Sequence, residues 1–388
     1  MTLAQTSSRD AFAHTLAADA STGRKSLLLA PLGAGKTHTL VKIAASLQET
    51  SIPFVFLDLF TAASTPERLL AALVGAVHPF MVEDADSVEA LAKESASDRR
   101  NSSRALLHLL DLLTMKVPSR PFVWLIDEVT EIRSLAYFPD LGAIEAPFAR
   151  ALRASRGAVL TSSYLGLAGD LFADLERVLL PGLTSSDLEE VPSLRSDSHA
   201  IATAITVTHG SAATLLPLVA DLRDSRDVTR SLIHLLMPGG ALELTCRRRY
   251  EVLLMRSRGY AVSKRAAEVV AAHREKRLTD LFPLIGRTPG ASRQYLRWLV
   301  EVGLLTQIKK RYDFADPILG LWAGLYLGRA GHPTEGEIRN AVVECVNRVG
   351  DAPPITLEMA RPRHAADGSG LRATEGPKKR VDRFEEID

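Results

Sequence analysis

The sequence predicts an α/β fold: a doubly wound, mostly parallel sheet around a phosphate-binding loop, followed by an all-helical segment and a winged-helix layout. Three observations predict it. A short apolar run at 25–30 passes through the loop Ala30-Pro31-Leu32-Gly33-Ala34-Gly35-Lys36-Thr37 into a helix. Four more strand-like apolar runs recur at 53–59, 121–128, 157–163 and 177–180, separated by helical patterning. Beyond residue 185 strand patterning stops, and residues 261–314 read as three helices and a hairpin.

Length and composition set the bounds. A chain of 388 residues, 46% hydrophobic and 24% charged, suits two or three domains with a real core. The two cysteines, Cys246 and Cys345, form neither a disulfide framework nor a zinc site. No apolar run approaches the roughly 18 residues of a membrane helix. Residues 1–20 lack the basic start and apolar core of a secretory signal. A cytoplasmic protein with no membrane partner is expected. The net charge of +1 hides an asymmetry: residues 244–311 hold 16 Lys and Arg against 5 Asp and Glu, while residues 1–243 hold 21 against 28 and residues 312–388 hold 10 against 13. Such a segment implies an anionic partner.

The elements follow in order. A helix at 9–20 precedes the first strand, and a helix from Thr37 to about residue 47 follows the loop. Ser64-Thr65-Pro66-Glu67 opens a helix carrying the stripe Leu69, Leu70, Leu73 and Val74. The acidic stretch 83–103 reads as surface helix and loop, and 105–115 as a leucine-rich helix. Helices are expected at 143–154 and 165–175, then at 199–208, 212–223 and 229–236, with Pro238-Gly239-Gly240 as a break. Helices at 264–277, 278–285 and 292–302 precede a hairpin of 303–308 and 312–314, and another helix runs to about residue 349. Residues 351–388 are rich in Pro, Gly and charge and are expected to be disordered. The expected units are 1–184, 185–260, 261–330, a C-terminal helix at 331–350, and the tail.

The loop suits a nucleotide's phosphates. Glycines let backbone N–H groups curl around an anion, and a helix N-terminus adds partial positive charge. Pro31, Leu32, Gly33, Ala34, Gly35, Lys36, Thr37 and His38 are the expected nucleotide-contacting run, with Lys36 on the β/γ-phosphates and Thr37 on Mg²⁺. Ala30 stands where G-x-x-x-x-G-K-[ST] has its first glycine. Asp127, closing the 121–128 strand, is the second expected Mg²⁺ residue, and Glu128 the polariser of the attacking water. The plainer reading of these acids is decoration of a helix start. Ser162, ending the next strand, is placed to sense the γ-phosphate or to cap a helix. Arg177 is either a transition-state cation acting across an oligomer interface or a surface partner of Glu176 or Asp174.

The order of the Gly-Ala-Gly-Lys-Thr loop, the Trp124-Leu125-Ile126-Asp127-Glu128 strand and the Leu160-Thr161-Ser162-Ser163 strand resembles P-loop NTPases of the AAA+ and STAND class. More narrowly, Tyr312, Asp316-Pro317 and Trp322 are similar to the closing signature of the archaeal-type ATPase family, over about residues 20–330. That resemblance implies an ATPase core, a helical lid and a C-terminal winged helix, with ATP and Mg²⁺ as cofactors and assembly into a homo-oligomer on ATP binding. ATP rather than GTP rests on the resemblance, and no Asn-Lys-x-Asp motif is present. The lid segment Thr208-His209-Gly210-Ser211-Ala212 lacks the family's proline and the second sensor arginine of DNA-replication initiators, leaving His209 as its polar candidate.

The basic segment points to DNA. Arg293 and Arg297 lie four apart on the third helix of the winged-helix layout, the one that enters the major groove. Lys309, Lys310 and Arg311 at the hairpin suit phosphate contact. Arg247-Arg248-Arg249 adds charge. The expected function is an ATP-hydrolysing switch coupled to DNA binding. The alternative is a STAND-like signalling or defence ATPase whose winged helix docks a protein partner, and a plainer one is a nucleotide-binding scaffold without turnover.

Overall fold

The computed structural model describes residues 8–81, 90, 99–115, 121–164, 172, 174–189 and 198–350. These lie within the first of two compact units, Met1–Thr356. The expected tail at 351–388, most of the expected helix at 165–175 and most of the stretch 83–103 lie outside the described residues.

The five apolar runs form one parallel sheet of β1 (Lys25–Leu29), β2 (Phe54–Asp58), β3 (Val123–Asp127), β4 (Gly157–Ser162) and β5 (Glu176–Leu179), in the order β2-β3-β4-β1-β5. The helices among them are α1 (Arg9–Ser21), α2 (Lys36–Glu49), the short α3 (Leu59–Ala62), α4 (Pro66–Val77), α5 (Arg99–Met115) and α6 (Glu145–Ala154). A 3₁₀ helix, Val129–Tyr137, follows β3 and was not expected. α4 starts where its sequence dictates: Thr65 accepts the Arg68 N–H, Pro66 occupies the first turn and Glu67 complements the helix dipole.

Period-two alternation sorts the sheet's side chains into two cores. Leu28, Val123, Leu125 and Val159 face Phe12 and Leu16 of α1 and Leu40, Ile43 and Leu47 of α2. Leu27, Leu29, Trp124, Ile126, Ala158 and Leu160 face the opposite layer of α4, α5 and α6. Because both faces are covered, the strands read as continuous apolar runs. β1 lies between β4 and β5, and β4 separates it from β3. The loop after β1 and the acids ending β3 therefore meet at the carboxyl ends of the inner strands, with the end of β4 between them.

Beyond the sheet come α7 (Ser185–Glu189), α8 (Ser198–Thr208), α9 (Ala212–Ser225), α10 (Val228–Leu236) and α11 (Ala241–Arg256). Three further helices, α12 (Tyr260–Ala272), α13 (Leu278–Ile285) and α14 (Pro289–Glu301), lead into the hairpin of β7 (Leu305–Ile308) and β8 (Arg311–Phe314). α15 (Pro317–Tyr326) and α16 (Glu335–Gly350) complete the described chain. The helix expected over 264–277 stops at Ala272, and Lys276–Arg277 forms a third strand, β6, paired with β8. Glu275, at φ +57°, turns the chain out of the helix, and its N–H donates to Tyr312 O at 3.1 Å. A single apolar cluster runs from Leu188 through Tyr250, Leu281 and Trp322 to Cys345. The segments on either side of residue 260 thus share one core. Among the described residues no helix is long and apolar enough to cross a membrane.

Candidate nucleotide site

The site begins with a turn that only particular residues make. Gly33 and Gly35 have φ of +82° and +98°, the left-handed region that favours glycine. Gly35 is also the N-cap of α2, which has neither a side-chain cap nor an acid in its first turn. A helix start left bare in this way presents unsatisfied N–H groups and positive potential to an anion. The loop is braced by Arg9 of α1, whose Nη1 donates to Ala34 O at 2.7 Å and Nη2 to Pro181 O at 2.8 Å. A Cβ on Gly35 would lie 2.5 Å from Arg9 Nη1. Nothing in the sequence around Arg9 announces this role.

Lys36 is 5% exposed, and its Nζ donates to Ala30 O at 3.2 Å, Pro31 O at 3.3 Å and Ser163 Oγ at 2.7 Å. Glu128 Oε1 lies 3.2 Å from the same Nζ. Ser163 holds Glu128 twice, through N–H to Oε2 at 2.9 Å and through Oγ–H to Oε1. Glu128 has φ +50°, which breaks the strand's alternation. Beside it, Thr37 Oγ donates to Asp127 Oδ2 at 2.5 Å and Thr161 Oγ donates to Asp127 Oδ1. The Glu128 N–H donates back to Thr161 Oγ at 3.0 Å. The loop, β3 and β4 thus converge on one cluster in which Lys36, Asp127, Glu128, Thr161 and Ser163 are buried and Thr37 is exposed at the mouth.

Burial shapes the charges here. Burial alone pushes the Glu128 carboxyl up, but Lys36, the two Ser163 hydrogen bonds and Arg256 outweigh it and hold Glu128 below the usual glutamate range. Burial pulls Lys36 below the usual lysine value, with Glu128 its main opposing influence. Arg256, at the end of α11, is an unforeseen third charge. Its Nη2 lies 3.1 Å from Glu131 Oε1, and its guanidinium sits 5.2 Å from the Tyr164 ring centre and 5.8 Å from that of Phe60. Burial pushes Glu131 up, Arg256 opposes it, and Glu128 and Asp58 add to it.

Ser162 does not join this cluster. Its Oγ is 3.0 Å from Thr130 Oγ and accepts the Tyr164 N–H at 3.0 Å. The reason is the strand period: Thr161 and Ser163 continue the face of Val159, which α2 covers, while Ser162 continues that of Leu160. The structure brings Thr161 and Ser163, on either side of Ser162, into the cluster. Arg177 lies on the edge strand β5, in register with Leu27, two residues short of the strand's end. Asp174, one of its two expected partners, is held bidentate by Arg153 at 2.6 and 3.0 Å. His209, at φ +50°, is pulled below the usual histidine value by burial, against the opposing charge of Asp316.

The basic residues are spread more unevenly than their spacing implied. Arg249, expected to add surface charge, is buried against Asp316 at 2.6 Å. Arg247 pairs with Glu243 at 2.6 Å. On α14, Arg293 is exposed and Arg297 pairs with Glu301 at 3.1 Å. Arg311 Nη1 donates to Glu275 O at 2.8 Å. Lys309 and Lys310 form the two-residue hairpin tip between the paired Ile308 and Arg311, at φ +47° and +67°.

No family model and no curated protein matches the chain. Among solved structures it is similar to the Walker-type ATPase PABY2304 of Pyrococcus abyssi, with a TM-score of 0.56 and 16% identity over 80% of this chain and 94% of that one. It is similar also to the RuvB Holliday junction branch migration motor of Thermotoga maritima, with a TM-score of 0.34 and 14% identity over 79% of this chain and 90% of that one. For Drosophila ORC bound to DNA the TM-score is 0.32, with 12% identity over 88% of this chain and 94% of that one. The first of these likenesses shows the fold: the chain has the P-loop NTPase fold, and the α/β class with its mostly parallel sheet read from the sequence holds.

Proposed function

We propose that the protein is an ATP-binding and ATP-hydrolysing switch whose nucleotide state governs binding of DNA by a basic winged helix. The observation that carries the first half is the constellation in which buried Lys36 meets Glu128 and Ser163 while the exposed Thr37 meets Asp127. Thr37 and Asp127 offer hard oxygen donors of the kind Mg²⁺ prefers and would hold the ion there. Bound there, Mg²⁺ would neutralise charge on the β- and γ-phosphates. Lys36 would leave Glu128 for the phosphates, Glu128 would then be free to accept a proton from the attacking water, and Ser163 would hold Glu128 in position. Arg177, on the edge strand, is proposed to act on a neighbouring copy in an ATP-bound homo-oligomer.

The two serines give a test. Ser163→Ala is expected to lower kcat by about tenfold or more, since positioned acid–base groups contribute ~10²–10⁴. Ser162→Ala is expected to leave kcat within about twofold and to lower stability by ~1–3 kcal/mol, by leaving buried polar groups unpaired. Steady-state hydrolysis and thermal unfolding of both variants check this. A larger kcat loss for Ser162→Ala would return the sensing role to Ser162.

The DNA half rests on the hairpin tip. A two-residue hairpin turn with both φ values positive favours Asn-Gly, and an ordinary side chain pays about 1–2 kcal/mol for the left-handed region. Lys309-Lys310 is therefore a poor turn that places two cations at the apex. Lys309→Asn/Lys310→Gly should keep or raise stability and flatten the dependence of log affinity on log salt by about 1.8, or ~0.9 for each phosphate no longer neutralised. Arg311 and Arg297, already engaged, should contribute less. If the wild type binds no duplex at about 50 mM salt, where phosphate contacts are strong, the DNA reading fails. The winged helix would then be read as a protein-docking module, as Ile308, 38% exposed beside the tip, allows.

A further inference from the structure

Two groups from the helical segment press on Gly33 of the phosphate loop. The Ala213 N–H, in the first turn of α9, donates to Gly33 O at 3.1 Å. The Arg249 side chain of α11 lies so close that a Cβ on Gly33 would be 3.5 Å from Arg249 Nε. That side chain is 8% exposed, and its Nε is buried without a hydrogen-bond partner. Its Nη1 donates to Asp316 Oδ2 at 2.6 Å. The same carboxylate oxygen accepts from Ser211 Oγ at 3.1 Å, two residues before Ala213. The other oxygen accepts the Ile318 and Leu319 N–H groups at 2.9 and 3.2 Å and so caps α15. Asp316 lies two residues past the end of β8, the strand that returns from the Lys309-Lys310 tip. One buried carboxylate therefore joins the first turn of α9, α11 and the root of the basic hairpin, and through Arg249 and Ala213 it reaches the phosphate loop.

We propose that Arg249, held by Asp316, is a positioning residue through which occupancy of the phosphate loop is passed to α15 and the basic hairpin. The proposal rests on the nucleotide-binding reading above. A loop that closes its backbone around phosphate shifts Gly33. Gly33 is tied to α9 and packed against Arg249, so those groups shift with it. Arg249 and Asp316 cannot part without leaving a buried charge alone, so they move together. Packed interfaces of this kind switch between discrete arrangements rather than bend. Two details mark the pair as more than a stabilising contact. A buried ion pair is often no more stabilising than apolar residues of the same volume, yet this one is present with Nε unsatisfied. Ser211, at the N-cap of α9, gives its hydroxyl to Asp316 instead of capping its own helix.

The chain carries its own reporter. Trp322 on α15 is buried, with its ring centre 5.4 Å from that of Tyr250, the residue after Arg249, and 5.9 Å from that of Tyr326. With three tryptophans in the chain, Trp124→Phe/Trp298→Phe in the full-length protein leaves Trp322 alone. Its emission is read at saturation with a non-hydrolysable ATP analogue, and binding is established separately with a fluorescent nucleotide. The parent is expected to change its Trp322 emission on saturation. Asp316→Asn keeps a good helix cap, removes the charge and turns the acceptor that faces Arg249 and Ser211 into a donor. Arg249→Met/Asp316→Asn removes both charges and avoids stranding a buried cation, should the single variant fail to fold. In either, most of the Trp322 response at saturation should be lost. A response of parental size in the folded double variant overturns the proposal, as does a parent that binds nucleotide with no change at Trp322. A parent that binds no nucleotide at all overturns the nucleotide reading, and this proposal with it.

Discussion

Lys36→Ala is expected to weaken nucleotide binding by at least about a hundredfold, ~2.7 kcal/mol, the scale of one or two hydrogen bonds to charged groups. Lys36 is the cation in the loop's cradle, and it is already buried against the carboxylate that phosphate would displace. The variant has a second consequence that must be measured beside the first. Removing the ammonium leaves Glu128 buried without its nearest counter-charge, and breaking a buried pair in this way costs ~3–5 kcal/mol. The two Ser163 hydrogen bonds and Arg256 offset part of that. Lys36→Met/Glu128→Gln removes both charges and separates the effects: its stability should recover while nucleotide binding stays weak. A fluorescent-nucleotide titration with thermal unfolding decides it. Undiminished affinity in folded Lys36→Ala would sink the phosphate-loop assignment.

Glu128→Gln is expected to keep nucleotide binding, or tighten it, while hydrolysis falls by ~10²–10⁴. The carboxylate accepts from Ser163 N and Ser163 Oγ and faces Lys36, so every neighbour within hydrogen-bonding reach is a donor. A carboxamide turns one acceptor into a donor and cannot satisfy that set. It also removes a negative charge from the place polyphosphate must occupy. Because Lys36, Ser163 and Arg256 hold the Glu128 carboxyl below its ordinary range, the nucleotide-free protein keeps it ionised at neutral and mildly acidic pH. The carboxylate's contribution to stability is in place above the ordinary glutamate range and is lost as pH falls through the lowered folded value. Single-turnover hydrolysis of the variant beside a binding titration is the measurement, and turnover close to wild type would leave Glu128 a structural residue. Mixing this variant with Arg177→Ala extends the test. Recovered hydrolysis places the arginine across a subunit boundary, and no recovery with assembly intact removes that role.

The sequence by itself determined the sheet. Five short runs, apolar because both faces are covered, were legible as strands, and four of the five match to within one residue at each end. The other, β3, starts two residues later than read, after Pro121 and Phe122. Lys36, Thr37, Asp127 and Glu128 were legible because loop geometry and strand ends are local properties. Only the tertiary structure decided which hydroxyl enters the site, because strand period assigns Ser162 and Ser163 to opposite faces and no composition cue says which face the loop's helix covers. It likewise decided that Arg249 is buried while its neighbours Arg247 and Arg248 are exposed: Asp316, its partner, is 67 residues away, a separation no local pattern encodes. Arg9 and Arg256 were illegible for the same reason. Their partners are supplied by other segments: Ala34 O and Pro181 O, from the loops after β1 and β5, meet Arg9 only when α1 packs on the sheet, and Glu131 meets Arg256 only when α11 packs beside the end of β3.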